Sequence, residues 1–194
     1  MPRSIQKAAS HEAIVTVAAD LIRRYGIAAA SVARVMQGAG LTVGGFYAHF
    51  ATKSHLAGAA LRRAFADNMS ALFTGLEGAS RAQRYDQAVR RYLSRQHRDM
   101  ERQICPVPAC LSEIDPRDAP VRDALVDGVD DLVGRLTPLL DARPGLTARQ
   151  RALGTAATLI GALALARASR GTAWSDEVLL AARKLLFALE GDHR

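Results

Sequence analysis

The chain has 194 residues, 49% of them hydrophobic but only 5% aromatic, and its 26 Lys and Arg outnumber 19 Asp and Glu for a net charge of +7. That length suits one ordinary domain or a small domain joined to a larger one, and no apolar run approaches the ~20 residues that span a bilayer. Two cysteines are too few for a disulfide framework, and the basic start lacks the apolar stretch of a secretory signal, so a soluble, cytoplasmic protein is expected.

Segments rich in Ala, Leu and Arg, with few β-branched runs, favour helix over sheet. Residues 1–9 read as a disordered basic arm, with Arg3 and Lys7 able to reach phosphates or a minor groove. A first helix should run from Ser10 to Tyr25, burying Ile14, Val17, Ala18, Leu21 and Tyr25, and Gly26 should end it. Ser31 is a good N-cap for a second helix. Val32, Val35, Met36 and Ala39 follow at helical spacing. Gly40 stops that helix, because glycine takes the left-handed conformation without penalty. Leu41 is the lone apolar residue of the turn. Thr42 then opens a third helix on which Phe46 and Phe50, at i and i+4, can bury together, with Val43 and Tyr47 in the neighbouring row. Two short helices joined by a glycine turn form the helix-turn-helix pattern, whose second helix can enter a DNA major groove.

Thr52 caps a long fourth helix, with Lys53 at its first position, expected to reach about Leu76. Arg81–Gln103 reads as a further helix. Pro106 and Pro108 in CPVPAC interrupt regular helix, and a short helix over Ala109–Ile114 follows. Pro120 suits a helix start; that helix passes Leu136, kinks at Pro138 and ends near Asp141. Arg143–Gly145 is a turn. Thr147 caps a helix in which Ala152 to Ala166 carries only two polar side chains, Thr155 and Thr158. A helix apolar all round must be buried all round. The last helix should run from Ser175, as its cap, to Leu189.

The charge is unevenly placed. Up to Arg63 there are eight basic residues against Glu12 and Asp20 alone, while the rest of the chain is nearly balanced. A positive field that coincides with a helix-turn-helix is what a phosphate backbone requires.

The stretch LTVGGFYAHFATKSHL, with Gly40, Leu41, Phe46, Tyr47, His49, Phe50 and Lys53 at their spacing, resembles the signature of the tetracycline-repressor (TetR) family of transcription regulators. The likeness extends from about His11 to about Arg63. It implies an all-α protein of about nine helices. Residues 10–52 would be a three-helix DNA-binding domain, and 53–194 a helical effector-binding and dimerisation domain. It implies a homodimer on a palindromic operator, most simply a repressor released by a small-molecule effector. Ser31, Thr42, Tyr47, His49 and Lys53 would contact DNA phosphates. Arg34, Val43, Gly44 and Gly45 complete the expected DNA surface. Val43 can touch a thymine methyl but donates no hydrogen bond, and the glycines offer only close backbone approach. Gly154, Ala157, Gly161, Ala164, Leu185 and Leu189 are expected at the seam of a four-helix dimer bundle.

Phe65, Met69, Phe73, Tyr92 and Leu111 are the expected lining of an effector pocket, chosen by residue type and inward facing. A second reading makes the body a sensor of oxidants or electrophiles through Cys105 or Cys110. A remoter one pairs Cys105 with His97 in a thiol enzyme. The sequence contains no GxSxG elbow, P-loop, HExxH or CxxC. Two thiols and one imidazole lack a fourth ligand for zinc, so no metal or cofactor is expected.

Overall fold

The computed structural model describes residues 3–100 and 104–191. Among the described residues there are nine α-helices: α1 (Arg3–Tyr25), α2 (Val32–Gly38), α3 (Lys53–Phe73), α4 (Arg81–Tyr92), α5 (Arg95–Asp99), α6 (Val107–Cys110), α7 (Ala119–Leu136), α8 (Ala148–Ala168) and α9 (Ala173–Gly191). Three 3-10 segments, Val43–Ala48, Leu111–Glu113 and Thr137–Leu139, complete them, with no strand among the described residues. The all-α fold is as expected. The Arg143–Gly145 turn is closed by an isolated bridge between Arg143 and Leu146.

Contacts divide the chain into two compact units, Met1–Asp67 with Cys105–Gly128, and Asn68–Ile104 with Val129–Arg194. The boundary, expected within the long helix that begins at Lys53 and drawn at its start, falls inside that helix, between Asp67 and Asn68. The unit that holds the helix-turn-helix also takes in α6 and the first half of α7. Both α3 and α7 supply residues to both units.

In the first unit, the arm expected to be disordered is helical from Arg3 onward. Nothing between Arg3 and Ser10 breaks a helix, and Lys7, Ala8 and Ala9 favour one, so α1 runs straight through the expected Ser10 cap. Met1 and Pro2 of that arm lie outside the described residues. The buried face of α1 is Ile14, Val15, Ala18, Ala19 and Ile22. It is rotated from the expected one: Leu21 is only half-buried and Tyr25 is exposed. Each fully buried Ile contributes roughly 1.5–3 kcal/mol relative to exposure. Arg23 is buried as well. Its Nε donates to the Ala19 carbonyl at 3.2 Å and its Nη2 to Asp67 at 2.8 Å.

The CPVPAC stretch also departs from expectation. Its prolines do not exclude helix. Pro106 and Pro108 stand at the start of α6, where backbone N–H groups need no intrahelical acceptor. The Leu111–Glu113 segment follows, and Glu113 reaches the turn after α1. Its carboxylate accepts from the Ile27 N–H at 3.1 Å and the Ala28 N–H at 2.6 Å. Gly26, at φ +87°, makes that approach possible, because a Cβ there would collide with the Glu113 carboxylate.

In the second unit, the helix expected over 81–103 is broken. Leu93 leaves helical geometry (ψ 45°), and Ser94 caps α5 by accepting the His97 N–H at 3.0 Å. Residues 101–103 lie outside the described ones. α4 and α8 both begin with reciprocal caps, Ser80 with Gln83 and Thr147 with Gln150. α9 starts earlier than expected, and Ser175 is not its cap. Ser175 is buried, donates to the Ala166 carbonyl at 2.6 Å and accepts from Arg98 Nη1 at 2.8 Å. α8 and α9 pack on each other through one side of α8, where Ala152, Ala156, Leu159, Leu163 and Ala166 are buried.

Candidate nucleic-acid interface

Ser31 caps α2 as expected, its hydroxyl accepting the Arg34 N–H at 3.3 Å. Val35 and Met36 turn inward. Gly40, at φ +70°, lets the chain reverse, and the Leu41 N–H bonds back to the Met36 carbonyl at 2.9 Å. The helix expected to follow is instead the 3-10 segment Val43–Ala48. Gly44 and Gly45 each disfavour helix by about 1 kcal/mol relative to Ala, and two in one short segment leave little to hold regular α geometry. Phe46 and Phe50 anchor the segment, stacked at 5.9 Å and buried.

What this anchoring turns outward is a row of donors and open backbone. Tyr47 is 79% exposed and Val43 53%. Thr42 is exposed, and its hydroxyl makes no capping bond. An added Cβ at Gly44 would meet no atom within 4 Å, so a ligand can come up to the backbone there. Lys53 is exposed at the first position of α3. Arg34 is exposed on α2, and its guanidinium lies 5.3 Å from the Tyr25 ring centroid.

The basic residues of this region divide into two kinds. Arg23 and Arg63 both pair with Asp67, Arg63 also with Glu12, and Arg62 with Asp127 at 3.1 Å. Their charge is largely neutralised within the unit. Lys7, Arg34 and Lys53 have no carboxylate partner among the described residues. The positive field legible in the sequence is therefore carried by fewer side chains than its count of basic residues implies.

His49 is half-buried at the end of the recognition segment. Burial first, then His11, then Lys7 hold it below its ordinary value of 6.5. Its buried Nδ1 has no hydrogen-bond partner, so a proton is better accommodated on Nε2. The His11 ring stacks on Phe50 at 4.7 Å and lies 5.9 Å from His49. His11 and Lys7, one turn apart on α1, thus join the edge of this surface. Lys7, expected to reach phosphates from a disordered arm, is instead fixed by the continuous helix one turn from His11.

The five residues expected to line an effector pocket divide between the two units. Leu111 is 54% exposed, against the inward facing expected of it. Phe65 is core of the first unit, while Met69 and Tyr92 are core of the second, with Phe73 half-buried. None of the five lines the cleft in the second unit described below. Cys105 and Cys110 are both buried. Burial, with Cys105 and Glu113 nearby, pushes the Cys110 thiol up to about 12, which opposes the thiolate that a sensor needs. His97 donates from Nδ1 to the Tyr92 carbonyl at 2.7 Å, accepts at Nε2 from Asn68 at 3.1 Å, and is held down at about 4 by burial. Such a ring is a poor general base for a thiol enzyme. Among the described residues no three His, Cys, Asp or Glu cluster as a metal site, and no helix is long and apolar enough to cross a membrane.

Residues 14–60 match the family described as bacterial regulatory proteins, tetR family. No curated protein matches the chain in sequence. Among solved structures, a TetR transcriptional regulator from Chloroflexus aurantiacus is 24% identical, with a TM-score of 0.79 over 97% of each chain. A TetR-family regulator from Cytophaga hutchinsonii is 21% identical, with a TM-score of 0.75 over 94% of this chain and 96% of that one. The reduced form of NemR from E. coli is 20% identical, with a TM-score of 0.75 over 91% and 94%. The head of the chain, over residues 14–60, thus matches the model of the TetR family of regulators, and the chain along its length has the fold of these solved structures.

Proposed function

We propose that this protein is a homodimeric, ligand-responsive repressor that binds a palindromic operator and leaves it when a small-molecule effector is bound. The observation that supports DNA contact most directly is the outward row on the helix-turn-helix. Thr42, Tyr47 and Lys53 present hydrogen-bond donors beside an open Gly44 backbone, with no carboxylate partner for the lysine among the described residues. In this reading Ser31, Thr42, Tyr47, His49 (through Nε2) and Lys53 position the protein on phosphates, and Lys7 and His11 extend that contact along α1. Val43 reads a thymine methyl, Gly44 and Gly45 allow close backbone approach, and Arg34 supplies the long polar reader that the recognition segment lacks.

Dimerisation is supported by what the single chain leaves uncovered. Gly154, Ala157, Gly161 and Leu165 on α8, and Leu185 and Leu189 on α9, are all exposed, and Ala164 is half-buried. An isologous pairing of this stripe would bury it and give two recognition segments for successive major grooves.

The test is a gel shift with the DNA upstream of the protein's own coding sequence. With several phosphates contacted by each protomer, affinity should fall by on the order of 10³ or more between 50 and 200 mM salt. Folded protein that retains no DNA at low salt would sink the proposal.

A further inference from the structure

The second unit contains a cleft of about 460 Å³ between the end of α3 and the α4–α5 junction. That volume lies within the range of small-molecule sites. Its walls are of two kinds. Asn68 and His97 contribute polar side chains that are each more than nine-tenths buried. They are bonded to each other at 3.1 Å, and the His97 Nδ1–H is committed to the Tyr92 carbonyl. Ala71, Leu72 and Met100 contribute apolar surface.

Among the described residues, Arg91 is the one charged residue of the lining, and none of them brings a carboxylate into the cleft. One of its nitrogens, Nη1, is spent on the chain. It donates to the Leu72 carbonyl at 2.9 Å and the Thr74 carbonyl at 2.8 Å, which satisfies the end of α3 and holds the guanidinium in place. The Nε and Nη2 hydrogens have no acceptor among the described residues. They form the planar two-donor edge that matches a carboxylate. A dianion such as a phosphate monoester calls for more than one cation, and the imidazole behind the cleft is neutral.

We propose that this cleft is the effector site, and that the effector is a small organic monocarboxylate. Its carboxylate sits on the Nε–Nη2 edge of Arg91 and its carbon skeleton lies against Ala71, Leu72 and Met100. This rests on the ligand-responsive reading above, and its test is direct binding, with no DNA present.

The full-length protein would be titrated calorimetrically with straight-chain carboxylates from acetate to decanoate and with benzoate. The matching amides and amines serve as controls. At least one carboxylate should bind, and its amide and amine should bind roughly tenfold more weakly or not at all. Arg91→Gln should weaken that binding roughly 10- to 100-fold. Because Arg91 also caps α3, a second variant is needed: Ala71→Trp fills the cleft, leaves the Arg91 bonds intact and should block binding equally. No carboxylate binding, equal binding of amides, or undiminished binding to folded Ala71→Trp would each overturn the proposal. A gel shift with and without the bound carboxylate then separates the two ideas. Binding in the cleft that leaves DNA affinity unchanged keeps the site and removes the ligand-responsive regulator.

Discussion

The Tyr92 carbonyl, 2.7 Å from Nδ1, and the Asn68 amide, 3.1 Å from Nε2, hold His97 as a neutral ring in the core of the second unit. Burial, assisted by Arg167, lowers its pKa from 6.5 to about 4, against the opposing pull of the Tyr92 carbonyl. The unfolded chain therefore takes up a proton near pH 6.5 that the folded chain refuses until about pH 4. Stability from this group is complete above pH 6.5 and lost as pH falls through that window, by about 3 kcal/mol at most. His49, lowered for the same first reason, adds loss of the same sign. Urea midpoints measured from pH 7.5 to pH 4 should fall, and should fall less steeply in His97→Gln. Parallel curves would mean that the buried ring titrates normally. On the DNA side, Tyr47→Ala and Lys53→Ala should weaken binding to the operator and to mixed-sequence duplex by similar factors. Lys53→Ala should also lower the salt slope by about one per protomer. A loss confined to the operator, seen by the same gel shift, would reassign either residue to base reading.

Among the elements, the recognition segment and the α1–α2 turn are the least self-sufficient. Val43–Ala48 carries two glycines and holds its place through Phe46 and Phe50 rather than through helix propensity. The turn at Ile27–Ala28 relies on a residue some 85 positions later, since Glu113 accepts both amide hydrogens. An exposed charged hydrogen bond is worth about 1–3 kcal/mol when its partner is removed. Glu113→Ala should therefore speed hydrogen exchange at Ile27 and Ala28 by roughly tenfold or more while the α8 amides are unchanged. Because the turn sets how α2 follows α1, DNA affinity should fall as well. Unchanged exchange at those two amides would show that the turn stands without Glu113.

At the scale of the whole molecule, the two compact units are built from interleaved parts of the chain, so neither is a simple N- or C-terminal domain. The helix α8 is half covered by its own chain, and its small-residue stripe is left bare. A Cβ at Gly161 would meet nothing within 4 Å. Gly161→Arg should therefore fold normally as a single chain, yet place a charge in the proposed seam. Sedimentation should then give a monomer with an unchanged circular dichroism spectrum. Operator affinity should drop far more than affinity for mixed-sequence duplex, because only the dimer engages two half-sites at once. A variant that still sediments as a dimer would place the interface elsewhere.

Local rules were enough for much of this protein. The Ser31 cap, the left-handed Gly40, the Phe46–Phe50 pair and the Thr147 cap depend on neighbours within one or two helical turns, so their residue types and spacing announce them. The bare stripe of α8 was legible for a similar reason, since an apolar run longer than one chain can cover shows in composition alone. Other features depend on partners distant in sequence. The sequence does not tell which arginines face phosphates, because Arg23, Arg62 and Arg63 are claimed by Asp67, Asp127 and Glu12 only once the chain has folded. Nor does it tell that Glu113 fastens the α1–α2 turn, or that Leu111 faces outward while the cleft forms around Arg91 and His97. Burial and long-range pairing are properties of the packed chain, and tertiary contacts outweigh the sub-kilocalorie preferences by which a sequence signals its elements.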